Sequence, residues 1–592
     1  QREYDDPENR RFHAQPNACP VCGPQLEWWS REGQTIPTAD PIASVTDSLR
    51  KGQIVAIKGL GGFHLAVDAS NEDAVRELRR RKGRDEKPFA LMARDLEIIQ
   101  QHCAVTSEEE HTLISPRAPI VLLRRKIRDS VASSVAPGND RLGFMLPYTP
   151  LHHLLMTDGP EILVMTSANL SEEPICIDNR EALTRLKGIA DGFLVHNRDI
   201  YLRSDDSVWI SLAGRVRPIR RSRGFVPQPV FIRGTGPTVL AVGAELKNTV
   251  CLLKDNQAII SQHIGDLKNL EALDFFHQTV HHLKTIFEAK PDVIVTDLHP
   301  GYLSTQWAEK QSGAPRFKIQ HHHAHLAALL AEHRQSGPII GVILDGTGLG
   351  TDGHIWGGEV LVGGLDRVVR RGHLEALPLP GGDGAIRHPW RTAVAYLEHT
   401  FGADFPALPF AQNLDTEVIR EMVQKRVNTP LTTSCGRLFD AVAALTGGCA
   451  SIRYEAQAAI ELMQIAEPAE RSVYSSETEV GNGVYRLSVQ SLIRNIVRDI
   501  QSGISAGTIS GRFHRYILDG FLKLTQSIAR DTGIKTVGFS GGVFQNQILM
   551  ETMVTEFERR GFQVLTHKQV PCNDGGISLG QAVAGRMLHK SS

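Results

Sequence analysis

The stretch Gln320-His321-His322-His323-Ala324-His325 runs straight into Leu326-Ala327-Ala328-Leu329-Leu330-Ala331, and it constrains this chain more than any other feature. Alanine and leucine are strong helix formers, so the pattern predicts a helix whose first turns carry the histidines. Four residues apart, His321 and His325 then share one face with about 6 Å between their Cβ atoms, and can offer two imidazoles to one metal ion. A lone pair at that spacing reads first as a solvated helix start. Four histidines within five positions, next to a glycine-rich loop, reverse the reading. They point to a metal site whose remaining ligands lie elsewhere in the chain.

At 592 residues the chain is too long for one core, and three or more domains are expected. A net charge of −1 supplies no global basic field to draw in nucleic acid or an anionic membrane, so neither is expected as a partner. No apolar run approaches the ~20 residues that span a bilayer, and no secretory leader is seen. The eight cysteines are scattered apart from Cys19-Pro20-Val21-Cys22, which argues for a reducing compartment, with cytoplasm as the default. Residues 1–35 read as the remnant of a zinc-finger region: Cys19 and Cys22 are one thiolate pair, with His13 as a third candidate, where a closed site needs four ligands. The chain starts at Gln1 rather than Met, and an upstream piece is expected.

Residues 36–232 form the first large domain. Ile54 to Lys58 is an apolar strand entering a glycine turn, Asn71 to Arg84 a charged helix, and Ile162 to Asn169 a strand ending in small donors. Lys82, Arg84 and Lys87 precede a new strand, where Arg as a fork and Lys as a point charge can clamp a polyphosphate. A second basic run holds Arg221 and Arg223. The Pro- and Gly-rich stretch 224–238 marks a boundary.

From 238 to 592 strands alternate with helical segments, which argues for an α/β architecture. Val239–Val242 and Thr249–Leu253 read as a hairpin, and Asp292–Asp297 as a buried strand. Ile339 to Gly353 reads as strand, glycine-rich turn and strand, with Asp345, Gly346, Thr347 and Gly348 at the turn. Val537 to Asn546 is a strand passing into a helix through Gly541 and Gly542, an anion site by its paired glycines. Two such elements suggest an actin/hexokinase-like nucleotide cleft.

The order of the first set, Lys-x-Arg-x-x-Lys-Pro, Thr-Ser-Ala-Asn-x-Ser and a basic Arg-x-Gly end, resembles the YrdC family, twisted α/β domains that form an acyl-adenylate. That resemblance implies ATP with Mg2+ held by Lys82, Arg84 and Lys87, with Ser167, Asn169, Arg221 and Arg223 alongside. Gln320-His321-x-x-Ala324-His325, Gly436-Arg437-Leu438-Phe439-Asp440, Gly541-Gly542-Val543-Phe544-Gln545-Asn546 and Pro571-Cys572-Asn573-Asp574-Gly575-Gly576 resemble the TsaD-type carbamoyltransferases in the same order. It implies a divalent metal (Fe, Zn or Mn) on His321, His325 and Asp574, and a nucleotide site with Asp345, Gly346, Thr347 and Gly348 on one loop, Asp440 at the ribose and Gly541, Gly542 and Asn546 on the other. Asp345 departs from that family's usual Ser, and is either a further ligand or a phosphate-loop residue.

A finger remnant, a YrdC-like domain and a TsaD-like domain together resemble the HypF family of [NiFe]-hydrogenase maturation carbamoyltransferases. The resemblance implies carbamoyl-AMP made from ATP and carbamate, itself drawn from carbamoyl phosphate by an acylphosphatase domain absent from this sequence. The carbamoyl group would pass to the C-terminal cysteine of HypE, and a complete finger region would hold structural zinc. Two other readings stand beside it: a threonylcarbamoyladenosine-forming tRNA-modifying fusion, and a non-catalytic nucleotide-gated actin-like module.

Overall fold

The computed structural model describes residues 2–9, 23–127, 130–169, 173–468 and 470–591. The expected zinc remnant at Cys19 and Cys22, with His13, lies outside the described residues. Contacts divide the chain into two compact units: Gln1–Ala104, Arg125–Val135 and Gly143–Asp205 form the first, and Val105–Arg124, Ala136–Leu142 and Asp206–Ser592 the second. The strands Val208–Leu212 and Arg215–Arg220 follow the second unit, because Ile210 and Leu212 are buried in its core with Ile340 and Leu344.

In the first unit the strands Leu26–Ser30, Gly192–His196, Val55–Lys58, Phe63–Asp68, Ile162–Ser167 and Ala90–Ala93 lie side by side in that order, with residues 143–145 beyond the last. Parallel and antiparallel pairs mix, as in a twisted α/β sheet. The charged helix Glu72–Lys82 starts where the Asn71 side chain accepts from Ala74 N. It stops at Gly83, whose φ of +61° is left-handed backbone that a glycine adopts without penalty. Ala74, Val75 and Leu78 bury one face of the helix, and Lys82 is carried inward with them.

The second unit holds two sheets built on one plan. Gln257–Ile260, Cys251–Lys254 and Val239–Ala241 run antiparallel, and Val293–Asp297 and Arg316–Ile319 then add in parallel. Val368–Leu374, Ile355–Gly363 and Ile339–Leu349 likewise run antiparallel, followed in parallel by Thr536–Ser540 and Gln563–Thr566. The hairpin expected near 239–253 is there, with Val239 opposite Leu253. This repeated plan is the actin/hexokinase-like arrangement that the paired glycine elements suggested. Among the described residues no helix is long and apolar enough to cross a membrane.

The histidine helix, His321–Glu332, lies between these sheets, and every one of its residues is buried. Ala324, Ala327, Ala328 and Ala331 join the core of the first sheet and of the C-terminal helix Ile577–Ser591. Leu326, Leu329 and Leu330 join that of the second, with Ile339, Ile343 and Leu361. Each fully buried leucine contributes roughly 1.5–3 kcal/mol. The alanines act by being small: at Gly580 an added Cβ would stand 1.8 Å from Ala324 O, so the C-terminal helix meets the histidine helix backbone to backbone.

One expectation is corrected. Residues 346–349 do not form a turn; the strand Ile339–Leu349 runs on through them, with its register slipping between Leu344 and Gly348. The reversal comes later, where Gly350 N donates to His354 O. The glycines serve closeness, since a Cβ on Gly348 would lie 2.6 Å from His322 Cε1 and 2.9 Å from His321 Cδ2. Only a bare backbone fits beneath the imidazoles.

Candidate functional site

Four side chains from distant parts of the sequence converge at the start of the histidine helix. One ligand atom each from His321, His325, Asp345 and Asp574 lie within 4.8 Å of one another. His321 Nε2 is 3.3 Å from Asp345 Oδ2 and 3.7 Å from Asp574 Oδ1; His325 Nε2 is 3.5 and 3.9 Å from the same two atoms. The two Nε2 atoms and Asp345 Oδ2 are buried and make no hydrogen bond. Orphaned polar atoms in a protein interior are costly, and three that face one another describe a cation site. Two imidazoles and two carboxylates suit a divalent first-row metal. At 15% exposure the Asp574 side chain is the most open of the four, so the centre has an accessible side.

The helix start is held by Gln320, whose side chain accepts from His323 N at 2.9 Å and donates to Leu349 O at 3.0 Å. Sequence reasoning missed the residue that aims His321. Its Nδ1 donates to Asp297 Oδ2 at 2.8 Å, both side chains fully buried, which leaves Nε2 facing the centre. The one available signal was a carboxylate at the end of an apolar strand. Burial works against an imidazolium at His321, but Asp297 and Asp574 outweigh it and push its pKa well above the usual value. Burial likewise opposes charge on Asp345, yet the His321 and His325 rings that face it at 3.3 and 3.5 Å hold that carboxyl well below its usual range. Three carboxylates around two imidazoles make a potential that favours a cation.

His322 and His323, which had no assigned role, are not among the four converging side chains. His322 Nδ1 meets Gln320 Nε2 at 3.0 Å, and burial followed by the neighbouring His321 charge drives its pKa well below the usual value. His323 Nε2 lies 3.1 Å from Gly364 O. Both are core histidines.

Asp345 touches both of the elements named in the two roles left open for it. Its Oδ2 faces the histidines while its Oδ1 accepts from Gly542 N at 2.9 Å, the amide expected to meet an anion. Gly541 is required beside it, with φ +103° and an added Cβ only 2.2 Å from Leu344 O. Gly346 and Thr347 lie on the continued strand, with Ser434 Oγ donating to Gly346 O at 2.5 Å. Asp440 is buried against Arg437 at 3.0 Å, and burial, opposed by that guanidinium, pushes its pKa up to about 6. The Asn546 side chain caps the helix Gln547–Arg559 through Leu549 N, and meets His514 Nε2 at 3.0 Å.

In the first unit Lys82 Nζ donates to Ser167 O at 2.9 Å, to Asn169 O at 2.6 Å and to Asn169 Oδ1 at 2.9 Å, so three of the residues expected at a nucleotide stand together. Burial, and then the Arg84 cation, pushes the Lys82 pKa down to about 7. Arg84 donates to Pro88 O at 2.7 Å and reaches Thr166 Oγ1 at 3.3 Å, while Lys87 is exposed on the loop. Arg221 and Arg223, expected at the nucleotide, make contacts within the protein. Arg221 donates to Phe225 O, and Arg223 pairs with Asp206 at 2.6 Å and donates to Arg117 O and Ala118 O. Both lie in the second unit, which sequence order alone did not reveal.

Family models match nearly the whole chain. The HypF finger model covers residues 1–29, the telomere recombination model of the Sua5/YciO/YrdC type 47–222, the HypF Kae1-like domain 234–332, and the second subdomain of the carbamoyltransferase Kae1-like domain 341–581. The carbamoyltransferase HypF of Synechocystis is 43% identical over 95% of this chain and 75% of its own length. The chain belongs to the HypF carbamoyltransferase family. Carbamoyltransferase HypF2 of Cupriavidus necator is also 43% identical, over 93% of this chain and 74% of that protein. A crystal structure of full-length HypF in the phosphate- and nucleotide-bound form matches with a TM-score of 0.95 and 44% identity, covering all of this chain and 78% of that one. The T. kodakarensis HypF structure matches at 0.94 and 36%, over 100% and 79%. The HypF family thus contains the two folds, YrdC-like and Kae1-like, seen here in sequence order.

Proposed function

We propose that this chain is a hydrogenase-maturation carbamoyltransferase that joins two half-reactions, adenylation in a domain spanning about 36–232 and transfer in one spanning about 238–592. In the first, a carbamate oxygen attacks the α-phosphorus of Mg2+-bound ATP, the bond to the β-phosphate bridging oxygen breaks, and pyrophosphate leaves. Lys82 is positioned for this by its three bonds to Ser167 and Asn169, and Arg84 and Lys87 add charge on the adjoining loop. Fixed cations of this kind neutralise the phosphates and hold them in line. Carbamoyl phosphate, through an upstream acylphosphatase activity, is the source of carbamate.

In the second half-reaction the thiolate of the HypE C-terminal cysteine attacks the carbamoyl carbon, the bond to the phosphate oxygen breaks, and AMP leaves. The observation that carries this reading is the convergence of His321, His325, Asp345 and Asp574 with three buried atoms lacking any partner. Those four residues would hold a divalent metal, which when bound supplies Lewis-acid polarisation and a template for the adenylate. Asp297 keeps His321 Nε2 turned to the centre, and Asp345 ties the Gly541-Gly542 loop to it. A second observation supports an external nucleophile: among the described cysteines, Cys435 and Cys572 adjoin the centre, and burial pushes both thiols far above the usual range.

The test combines the chain with an acylphosphatase, radiolabelled carbamoyl phosphate, ATP and HypE. A thiol-linked label on HypE is expected, and its absence sinks the proposal. Elemental analysis of the purified chain identifies the metal.

A further inference from the structure

Behind His325 runs a line of buried polar groups that the transfer chemistry does not use. His325 Nδ1 stands 3.2 Å from Ser540 Oγ, Ser540 Oγ 2.8 Å from His567 Nε2, and His567 Nδ1 3.0 Å from Glu332 Oε1. Ser540 is fully buried, and the side chains of His325, His567 and Glu332 are exposed by no more than 3%. Glu332 ends the histidine helix, and its carboxylate accepts from Lys568 N and Gln569 N, which fixes it in place. A hydroxyl, an imidazole and a carboxylate in this order resemble a nucleophile triad. Here, however, the hydroxyl faces a histidine ring in a closed interior, so it positions rather than attacks.

The chemistry of the groups sets the direction of every bond. An ionised carboxylate only accepts. Burial disfavours charge on Glu332, but the His567 ring and the Gln569 and Lys568 N–H groups outweigh it and keep the carboxyl below its usual range. With a carboxylate 3.0 Å from Nδ1, the ring tautomer that carries its proton on Nδ1 is electrostatically favoured, and in that tautomer Nε2 is left to accept. Ser540 donates its hydroxyl hydrogen to that nitrogen, the alternative acceptor Cys572 O being farther away at 3.5 Å. The Ser540 oxygen then accepts from His325 Nδ1–H. What remains on His325 is a bare Nε2 aimed at Asp345 and Asp574. His321 is turned toward the same centre in one step, through Asp297.

We infer that Ser540, His567 and Glu332 form a directional polar relay, hydrogen-bonded from His325 through Ser540 to His567 and closed by the Glu332 carboxylate 3.0 Å beyond, that holds His325 in the tautomer able to ligate, and so sets the affinity of the centre for a divalent cation. The inference rests on the metal-centre reading above. It makes Glu332→Gln the informative change, because the amide has the same shape and can still accept from Lys568 N and Gln569 N. Its NH2 would donate to His567 Nδ1 and turn the whole line round, placing the proton on His325 Nε2.

The measurement is Mn2+ titration of the full chain followed by electron paramagnetic resonance, with the melting temperature of the metal-free chain as control. Mn2+ is used because the thiolates of Cys19 and Cys22 favour softer ions. Ser540→Ala and Glu332→Gln should each weaken Mn2+ binding about 10- to 100-fold, the usual effect of removing a residue that orients a ligand, with little change in melting temperature. Equal affinity in parent and both variants overturns the relay. So does a loss of affinity that merely follows a loss of melting temperature in both, which is a packing effect. If the parent itself binds no Mn2+, the metal-centre reading fails first and takes the relay with it.

Discussion

Lys82 shows how much of a site can rest on one side chain's surroundings. Its ammonium sits at the end of the helix Glu72–Lys82, is 6% exposed, and is pushed down to about 7 by burial and by Arg84. At pH 8 such a group is roughly nine-tenths neutral without ligand. A bound triphosphate stabilises the cation, so ATP binding at pH 8 should take up close to one proton, and at pH 6 almost none. Isothermal calorimetry in buffers of differing ionisation enthalpy reads this directly. Lys82→Met should abolish the buffer dependence; an unchanged dependence would remove Lys82 from the nucleotide site. Asp345 makes the complementary point, since one carboxylate faces the histidines with Oδ2 and secures the Gly542 amide with Oδ1.

The histidine helix is placed as a whole by its two unlike faces, alanines toward the C-terminal helix and leucines toward the second sheet. Gly580→Ala tests this at the scale of the element. The new Cβ would meet a backbone oxygen, Ala324 O, at 1.8 Å, and no side-chain rotation relieves a backbone clash. Separating the helices should cost about 1–3 kcal/mol or more. It should also move His321 and His325 relative to Asp345, so the melting temperature and Mn2+ affinity fall together. A variant that melts lower but binds Mn2+ normally would show that the helix position and the centre are independent.

For the molecule as a whole, the two proposed half-reactions belong to separate parts of the chain, with Lys82 in one compact unit and His321, His325, Asp345 and Asp574 in the other. Replacing His321 and His325 with alanine should lower carbamoyl transfer by about 100-fold or more, given the several kcal/mol a metal contributes, while ATP–pyrophosphate exchange stays intact. Loss of both activities would instead mean that the substitutions disturb the fold beyond the centre.

The one-dimensional pattern was sufficient for everything that depends on neighbours in sequence. The Ala/Leu run specified the histidine helix, the spacing of His321 and His325 placed both rings on one face, and the strands around 54–58, 162–167, 239–253 and 292–297 followed from apolar runs bounded by turn residues. Motif order pointed to Asp574 and left two roles open for Asp345. Residues whose role depends on a contact across the fold were not legible. Asp297, Ser540, His567 and Glu332 carry no local signature, because an orienting hydrogen bond needs only proximity, and proximity is created when two sheets close on one helix. For the same reason the basic run does not show in sequence that Arg221 and Arg223 lie against backbone carbonyl groups and, for Arg223, Asp206. Gly346 and Gly348 read as a turn because sequence records that they lack a Cβ. Only the packed imidazoles of His321 and His322 decide that the missing atom is needed to let a strand pass underneath.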